Sequence, residues 1–310
     1  MKQKILITGS GVLGAYLAKE LIKKNYKVFV TSRFYKKNFK NYEYLEISSN
    51  VKFLKLDILN KNQIKKIIDE INPVKIFYFS GQSSLVKSLK FTKKTFESNY
   101  LGVKNFLEVI EKNKYNISFF KANSGYIFDS KSGVISLKSR LSKSKNPYIK
   151  AQIKAYSLIK KFRDKGVDGH SIIMLQVESP LRSKHFFIKK VCSHAKLGNI
   201  IKVGNINTVR DYSWAPEIAQ GIYYFSQSKI KDIILSSGIG LSGTQILDEA
   251  YRLNNLKSKN FYQVNKKYLR DKEIKVLIGR DKNKNDLYKK FKWKNKIAGI
   301  NIVKLMYKLI

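Results

Sequence analysis

The side chains of this sequence that could move a proton lie around Tyr148. This tyrosine follows Pro147 at the start of a helical stretch, and proline pre-sets the first turn of a helix. A phenol has a pKa near 10, so roughly one in a thousand is ionised at neutral pH without a positive charge nearby. One helical turn later stands Gln152, which donates hydrogen bonds but carries no charge.

Two lysines on the same helix do not obviously supply the missing charge. Lys150 and Lys154 lie two and six residues after Tyr148, off the face that Tyr148 shares with Gln152. Lowering the phenol pKa from about 10 to about 7 would require about 4 kcal/mol of differential stabilisation. A lysine from elsewhere in the fold could contribute part of it.

Three glycines near the start of the chain have the spacing of a dinucleotide-binding turn. Gly9, Gly11 and Gly14 form G-x-G-x-x-G between an apolar strand and a helical pattern. Glycine permits a tight turn and close approach of a ligand, and the helix N-terminus offers unpaired N–H groups to a pyrophosphate. An ordinary glycine-bearing turn is the alternative, but the position after the first strand favours a cofactor site.

The residues after the second strand favour NADP over NAD. An acidic residue there would bind the ribose hydroxyl of NAD, whereas a basic one accommodates the 2′-phosphate of NADP. Residues 31–41 contain no Asp or Glu, but they include Ser32, Arg33, Lys36 and Lys37. A guanidinium pairs with a phosphate in two-pronged geometry, so we predict NADP, with NAD as the less favoured cofactor.

Strands and helices alternate along the first part of the chain. Six stretches read as strands: ILI, YKVFVTS, VKFLKLDI, VKIFYFSG, ISFFKANS and HSIIMLQV. Helical patterns lie between most of them, including 62–71 and 93–112. This alternation predicts an α/β fold with a Rossmann-type doubly wound parallel sheet, which binds ligands at the carboxyl ends of its strands.

After about residue 176 the pattern loosens into short strands mixed with helices. The strands are NIIKVG, DIILSSG, NFYQVN and IKVLIG, and the last stretch, GINIVKLMYKLI, predicts a docked terminal helix rather than a membrane-surface one. We predict a Rossmann domain over 1–175, with elements of about 203–237 returning to it. A smaller mixed α/β substrate-binding lobe would occupy mainly 176–310.

Composition excludes several classes of protein. The 62 Lys and Arg against 22 Asp and Glu give a net charge of +40, but the lysines are scattered, so specific nucleic-acid binding is not expected. One cysteine excludes an intrachain disulfide, and three dispersed histidines predict no metal site. No apolar run approaches the roughly 20 residues of a membrane span, so we expect a cytoplasmic protein.

Several segments together carry a resemblance to a known family. They are LDILN, YFSGQSS, SNYLGVKNFLE, ESPLRSKHFFIKK, VGNINTVRDYSWAPEIA and YLRDKEIKVLIG followed by FKWK. The chain resembles the extended short-chain dehydrogenases/reductases, also called the NAD-dependent epimerase/dehydratase family, and is most similar to the GDP-mannose 4,6-dehydratase branch. The last three segments resemble motifs of the GDP-sugar branch.

The resemblance implies roles for particular residues. Tyr148 and Ser124 would act on the sugar, Arg210 and Arg270 would clamp the GDP phosphates, and Glu273 would accept hydrogen bonds from the nucleoside. The remaining candidates are Asp57, Ile58 and Asn99 for the cofactor, and Gln82, Ser83, Gln176, Glu178 and Lys190 for the nucleotide sugar. A homo-oligomer, dimer or tetramer, is also implied.

Two positions depart from the family pattern. Tyr126 stands where a dehydratase has the carboxylate that removes the C5 proton, and Gln152 stands where the family has lysine. The chain is thus a dehydratase-like enzyme with altered catalytic residues, a GDP-4-keto-6-deoxy-sugar reductase or epimerase, or a catalytically silent nucleotide-sugar binder. If no other group does the lysine's work, Gln152→Lys should raise any reductase activity ten-fold or more.

Overall fold

The structure is a computed structural model that describes residues 2–34, 39–269 and 273–310. Lys36, Lys37 and Arg270 of the predicted sites lie outside the described residues. The chain forms two compact units. The first takes in residues up to Asp129, Arg140–Ile173 and Ala219–Ile233, and the second takes in Ser130–Ser139, Met174–Ile218 and Ile234–Ile310.

Ten of the described strands begin close to where the apolar runs predict them, but those at 134–135, 176–178, 209–214 and 240–242 were not predicted as separate strands. The described strands are β1 (Lys4–Thr8), β2 (Lys27–Ser32), β3 (Val51–Lys55), β4 (Lys75–Tyr78), β5 (Ser118–Ser124), β6 (Val134–Ile135), β7 (Gly169–Met174), β8 (Gln176–Glu178), β9 (Ile201–Val203), β10 (Val209–Trp214), β11 (Asp232–Leu235), β12 (Gly240–Ser242), β13 (Tyr262–Val264) and β14 (Val276–Gly279).

The described helices lie between the strands and after the last one. They are α1 (Val12–Lys23), α2 (Phe39–Tyr44), α3 (Lys61–Ile71), α4 (Leu85–Lys90), α5 (Thr92–Phe96), α6 (Gly102–Lys112), α7 (Pro147–Arg163), α8 (Phe187–Lys196), α9 (Ala215–Ser226), α10 (Gly243–Arg252), α11 (Asn283–Phe291) and α12 (Ile300–Leu309). A π-helical turn, Glu97–Leu101, joins α5 to α6, where the periodicity predicted one continuous helix.

The sheet of the first unit has the order expected for a doubly wound fold. Among the described residues, its strands lie in the order β11-β7-β5-β4-β1-β2-β3. The pairs β1–β2, β2–β3, β1–β4 and β4–β5 are all parallel. The chain winds outward in both directions from β1 and β4, so the crevice at their carboxyl ends is the binding place that this topology predicts. The α/β prediction is confirmed.

Amphipathic helices cover this sheet because their apolar residues recur at helical spacing. In α3, Ile64, Ile67, Ile68 and Ile71 are all buried, at positions i, i+3, i+4 and i+7. They join one core with residues of α6, α7 and the strands. Each fully buried side chain of this size contributes roughly 1.5–3 kcal/mol, so the core holds the strand ends in place.

The second unit has its own sheet and core. Its sheet runs β12-β10-β14-β6, with β8 paired to β10, and β9 pairs with β13. The terminal helix α12 buries Ile302, Val303 and Met306 in a core shared with α8 and α10. The segment that returns to the first unit is 219–233, narrower than the 203–237 that the sequence suggested, because β10 belongs to the second unit. In the described part of the chain, no helix is long and apolar enough to span a membrane.

Candidate active site

The glycine turn between β1 and α1 forms a tight cradle. Gly9 has φ +96°, and a Cβ there would meet the backbone of Phe79 at 2.8 Å. A Cβ on Gly14 would collide with the carbonyl oxygen of Gly9, so the turn and the helix pack backbone against backbone. At Gly11, by contrast, a Cβ would meet no protein atom within 4 Å, which leaves room on the ligand side.

The helix N-terminus above this cradle has no side-chain cap. Gly11 is the N-cap residue, and α1 has no acidic residue in its first turn. The first N–H groups of a helix need acceptors, and the helix dipole favours negative charge there. The cradle therefore fits the pyrophosphate of a dinucleotide, as the G-x-G-x-x-G spacing predicts.

Ser32 and Arg33 lie at the carboxyl end of β2, the position that distinguishes NAD from NADP. The Ser32 hydroxyl accepts a hydrogen bond from the backbone of Phe34 at 3.2 Å, and the Arg33 guanidinium lies over the Phe34 ring. Both Arg33 and Phe34 are exposed. An exposed guanidinium next to an aromatic ring has the chemistry to hold a phosphate.

Asp57 and Ile58 follow β3 in a turn that is held from two sides. The Asp57 carboxylate accepts from the backbone of Leu59 at 3.1 Å, and Asn105 donates to the Ile58 carbonyl at 3.1 Å. Ile58 is buried, whereas Asp57 is half-buried. The turn is thus held rigidly at the same carboxyl edge of the sheet.

Gln82 and Ser83 follow β4, but the Gln82 side chain is occupied within its own loop. Its amide nitrogen donates to the Ser84 carbonyl at 2.7 Å, and its amide oxygen accepts from the Ser84 backbone. Ser83 is exposed. The structure therefore gives Gln82 a loop-shaping contact, and Ser83 is the more accessible of the two.

Asn99 lies at the centre of the π-helical turn and is 2% exposed. Its amide nitrogen donates to the carbonyls of Gln82 at 3.1 Å and Thr95 at 3.0 Å. Its amide oxygen accepts from Gln152 at 2.9 Å. Single π-helical turns are frequent at functional sites, and here the turn carries a side chain that ties the β4 loop to α7.

Ser124 and Tyr126 lie together at the end of β5. The Ser124 hydroxyl caps a short 3-10 turn by accepting from the Tyr126 backbone at 3.4 Å, and Ser124 is buried. Tyr126 is half-buried in that turn. This arrangement puts a phenol rather than a carboxylate two residues after the serine, so no group of ordinary carboxylate basicity occupies that position.

Tyr148 lies at the first turn of α7, as the sequence predicts. Asn146 caps the helix by accepting from the Tyr148 backbone at 3.0 Å, and Pro147 occupies the first turn. The cap is itself fixed, because Ser88 donates to the Asn146 side chain at 3.1 Å. The Tyr148 side chain is 8% exposed, so its phenol is held by a well-defined helix start.

Gln152 is buried one turn below and contacts a lysine that the sequence analysis did not select. The ammonium of Lys121, on β5, donates to the Gln152 amide oxygen at 3.3 Å. Lys121 is 2% exposed, and burial lowers its pKa to about 7. A lysine inside an apolar strand was visible in the sequence, but its partner lies 31 residues further on, beyond the reach of local spacing.

Arg210 and Glu273, both expected to bind the nucleotide, contact each other in the second unit. Their nearest nitrogen and oxygen are 3.7 Å apart, and Arg210 also donates to the carbonyls of Val209 and Lys275. Arg210 is 7% exposed. The guanidinium is therefore engaged by protein groups, and a diphosphate would have to compete with Glu273 for it.

The other second-unit candidates differ in their surroundings. Lys190 on α8 donates to the Lys202 carbonyl at 2.9 Å and lies over the Tyr268 ring. Gln176, at the start of β8, is half-buried. Glu178, at the end of β8, is 2% exposed, and its Oε2 has no hydrogen-bond partner in the structure. Burial raises the pKa of Glu178 to about 7, although Arg182 and Lys189 oppose this rise.

Asp211 is a second residue that the sequence analysis did not select. Its carboxylate is fully buried and accepts from the backbones of Ser237, Gly238 and Gly279, at 2.9–3.2 Å. Burial raises its pKa, and these hydrogen bonds lower it. Asp211 thus holds the β11–β12 loop and the end of β14 around the strand that carries Arg210, which is a structural role.

Across the described residues, no group of three or more His, Cys, Asp and Glu side chains is arranged to hold a metal ion. The glycine cradle and the uncapped α1 terminus instead fit an anionic dinucleotide.

Solved structures share the fold of this chain. The UDP-glucose 4-epimerase of Thermotoga maritima superimposes with a TM-score of 0.86 at 17% identity, covering 99% of this chain and 98% of that one. The dTDP-glucose 4,6-dehydratase of Bacillus anthracis, solved with NAD, gives 0.83 at 15% identity, covering 99% and 96%. The fold is that of the extended short-chain dehydrogenases/reductases.

The sequence then identifies the family within this class. The model of the GDP-mannose 4,6 dehydratase family matches residues 6–306, and the chain belongs to that family. GDP-mannose 4,6 dehydratase 1 of Arabidopsis thaliana is 24% identical over an alignment of 321 residues, which covers 97% of this chain and 88% of the relative. The human GDP-mannose 4,6 dehydratase is 24% identical over 302 residues, covering 91% and 75%. The predicted resemblance is confirmed, and dehydratase is the nearest functional label.

Proposed function

We propose that this protein is an NADP-dependent enzyme that acts on a GDP-sugar, with GDP-mannose 4,6-dehydratase as its nearest relative in function. The observation that carries the proposal is the glycine cradle under an uncapped helix, in a chain that matches the dehydratase family from residue 6 to residue 306. Bound NADP would supply a hydride acceptor at this edge of the sheet. The protein would supply orientation, hydrogen bonds and a proton-transfer group.

The choice of NADP rests on the end of β2. Arg33 is exposed there, and residues 31–41 contain no carboxylate to receive a ribose hydroxyl. A planar, permanently charged guanidinium pairs well with a 2′-phosphate. We therefore infer that NADP binds more tightly than NAD.

The chain's own residues would divide the work between positioning and proton transfer. Tyr148 would exchange a proton with a sugar hydroxyl, and Ser124 would donate a hydrogen bond to the same sugar. Asn99 would keep the β4 loop and α7 in register through its contacts with Gln82 and Gln152. Glu178 and Lys190, together with Gln176, Arg210 and Glu273, would bind the GDP-sugar from the second unit.

A second candidate function follows from Tyr126. A dehydratase needs a base to remove a carbon-bound proton, and a half-buried phenol is a poor base for that step. An epimerase that acts on a GDP-4-keto-6-deoxy sugar would use a group other than residue 126 for the carbon-bound proton, whereas a reductase that acts on such a sugar needs no such base. Its requirements would be met by Tyr148 and Ser124 with the cofactor.

Turnover assays separate these possibilities. Incubation with GDP-mannose and NADP should give a product lighter by one water if the protein is a dehydratase. Consumption of NADPH with a GDP-4-keto-6-deoxy sugar would instead identify a reductase. Binding of both nucleotides without either reaction would identify a silent binder, and calorimetry that detects neither nucleotide at millimolar concentration would overturn the proposal. The dimer or tetramer implied by the family stays a prediction, which sedimentation would test.

A matched pair of glycine variants tests the cradle itself. Gly14→Val forces a side chain against the Gly9 carbonyl, so we expect NADP affinity to fall at least 100-fold, with a lower melting temperature. Gly11→Ala has space for its methyl group in the protein, so it should fold normally. If NADP approaches the Gly11 backbone closely, calorimetry on this stable variant will show weaker binding. Undiminished NADP binding by both variants would contradict a pyrophosphate in this turn.

A further inference from the structure

Lys121 is a charged residue in a place where an apolar one would be expected. It is the fourth residue of β5, and strand alternation puts it on the same face as Phe119 and Asn123. Phe119 packs on that face into the core that includes Ile159 of α7. Burying a charged ammonium costs considerable free energy unless its donors are satisfied, so its position needs a reason.

The contacts of Lys121 lead directly into the candidate active site. Its ammonium donates to the Ala122 carbonyl and to the Gln152 amide oxygen, and it lies 5.7 Å from the centre of the Tyr78 ring. Gln152 in turn donates to Asn99 at 2.9 Å. A buried chain of hydrogen bonds thus runs from β5 through α7 to the π-helical turn.

The ammonium also determines which way the Gln152 amide faces. Lysine has donors and no acceptor, so the oxygen of Gln152 must turn toward Lys121 and the nitrogen toward Asn99. Without Lys121, the amide would lose the contact that holds its oxygen. Asn123, on the same face of β5, has a buried amide with no hydrogen-bond partner in the structure, which shows that this face remains polar toward the end of the strand.

We propose that Lys121 is a positioning residue of this site that supplies, through Gln152, the positive charge that the helix itself lacks. Tyr148 lies one turn from Gln152 on the same face of α7, where Cβ atoms are about 5–6 Å apart. An ammonium in contact with Gln152 stabilises the ionised phenol of Tyr148. The positive charge of this site is thus supplied from Lys121 on β5 rather than from residue 152 on α7. This inference rests on the proposed function.

Electrostatic conditions at Lys121 suit such a role. Burial alone lowers its pKa to about 7, so the charged and neutral forms are both populated near neutral pH. The groups that contact it are the phenyl face of Tyr78, the Ala122 carbonyl and the uncharged amide of Gln152. The ammonium therefore has no carboxylate among these contacts to neutralise its field.

A reciprocal exchange of the two side chains tests the proposal. The variants are Lys121→Gln, Gln152→Lys and the double exchange that carries both changes. We expect Lys121→Gln to lower kcat about ten-fold with KM within two-fold, and the double exchange to recover kcat to within about three-fold of the original. Gln152→Lys alone puts two ammonium groups side by side, so we expect at least a two-fold loss instead of a ten-fold gain.

A second readout does not depend on turnover or on bound cofactor. Because the Lys121 ammonium is charged only below about pH 7, Tyr148 is replaced by a fluorinated tyrosine whose phenol ionises below that pH. The pKa of this phenol is measured from its phenolate absorbance, by difference from Tyr148→Phe. We expect Lys121→Gln to raise it by about one unit, a ten-fold shift in the ionisation equilibrium, and the double exchange to restore it. Lys121→Met, an apolar side chain of similar length, serves if the glutamine variant folds poorly, since circular dichroism will show which of them folds.

The two proposals fail in different ways. An unchanged Tyr148 titration in Lys121→Gln and Lys121→Met overturns the role of Lys121, even if calorimetry shows NADP and GDP-mannose binding. A double exchange no better than Lys121→Gln, or a ten-fold gain from Gln152→Lys alone, overturns it as well. Failure of both nucleotides to bind overturns the proposed function, while the titration still reports on Lys121.

Discussion

Lys121 in the first unit and Glu178 in the second are ionisable side chains with the same 2% exposure, but their surroundings differ. Lys121 donates to Ala122 and Gln152 and is joined through Gln152 to Asn99. Glu178 keeps one carboxylate oxygen without a hydrogen-bond partner. The buried lysine of the first unit belongs to a network, whereas the buried glutamate of the second is opposed in its pKa rise by the charges of Arg182 and Lys189.

This difference indicates how far each unit holds its candidate binding residues in one arrangement. Satisfied buried networks hold side chains in one arrangement, and an acceptor left unmet typically costs about 1–3 kcal/mol. In the first unit, hydrogen bonds within the protein hold Gln152 and Asn99 in place. The second unit retains an acceptor at Glu178 that a sugar hydroxyl could satisfy, and its Arg210 is occupied by Glu273. We infer that the second unit changes more on binding.

The largest expected effect is the pH dependence that Lys121 gives to the free energy of unfolding, and it tests whether Lys121 is buried. Its pKa is about 7 in the folded chain against 10.5 ordinarily, so the unfolded chain binds more protons between those values. The contribution of Lys121 to the free energy of unfolding is therefore most favourable above pH 10.5, and it is lost as pH falls toward 7. The change amounts to up to about 4–5 kcal/mol, at about 1.4 kcal/mol per pKa unit.

Urea unfolding between pH 6.5 and 10 measures this effect. Lys121→Met should remove the largest single part of the rise in the unfolding free energy, and Lys75, whose pKa burial lowers to about 8, accounts for part of the remainder. Lys150→Met, at an exposed position of α7, should leave the rise unchanged. Equal slopes in the original chain and in Lys121→Met would show that the lysine is not buried in the folded protein.

Glu178 should produce a smaller effect of the opposite sign. Its pKa is raised to about 7, so the folded chain holds a proton between pH 4.5 and 7 that the unfolded chain has lost. The contribution of Glu178 to the free energy of unfolding is therefore fully present below pH 4.5. It is lost as pH rises to 7, by up to about 3 kcal/mol. Glu178→Gln keeps the shape without the titration, so its unfolding free energy should be flatter across this range.

The control for Glu178 is Asp286→Asn, an exposed carboxylate of the second unit. It should leave the slope between pH 4.5 and 7 unchanged. Chemical denaturation at closely spaced pH values separates the two variants, and a Glu178→Gln profile that parallels the original chain would mean that the carboxylate is hydrated in solution.

Sequence reasoning predicted the parts of this molecule that depend on neighbours along the chain. The order of strands and helices in the first unit follows from apolar runs, and the cradle at Gly9, Gly11 and Gly14 follows from a fixed spacing. The position of Tyr148 at the start of α7 also follows from the Pro147 helix start. Each of these is decided within about ten residues.

What the sequence did not reveal depends on pairs far apart in the chain. Lys121 and Gln152 are 31 residues apart, and the contact between them requires both strand parity and helix phase to be known. Arg210 and Glu273 were both assigned to the ligand, and their mutual pairing was not foreseen. The same limit applies to β10, whose place in the second sheet depends on partners from β8, β12 and β14.

The smallest expected effect is the change in GDP-mannose affinity when Arg210 of the second unit is substituted. Its guanidinium lies 3.7 Å from Glu273, a loose ion pair, so a diphosphate would gain less from it than from an unpaired arginine. We expect Arg210→Gln to weaken GDP-mannose binding about ten-fold, or about 1.4 kcal/mol, with NADP affinity unchanged within two-fold. Glu273→Gln keeps an acceptor, so GDP-mannose affinity should stay within about three-fold.

Arg252→Gln is the matched control, because Arg252 is also paired with a glutamate of the second unit but its side chain is 63% exposed. Calorimetry at two salt concentrations should show equal GDP-mannose binding by this variant and the original chain. If Arg210→Gln and Arg252→Gln weaken binding equally, the general positive field of this +40 chain attracts the nucleotide, and Arg210 is no more than the structural partner of Glu273. A loss confined to Arg210→Gln would instead indicate that the diphosphate contacts Arg210 in place of Glu273.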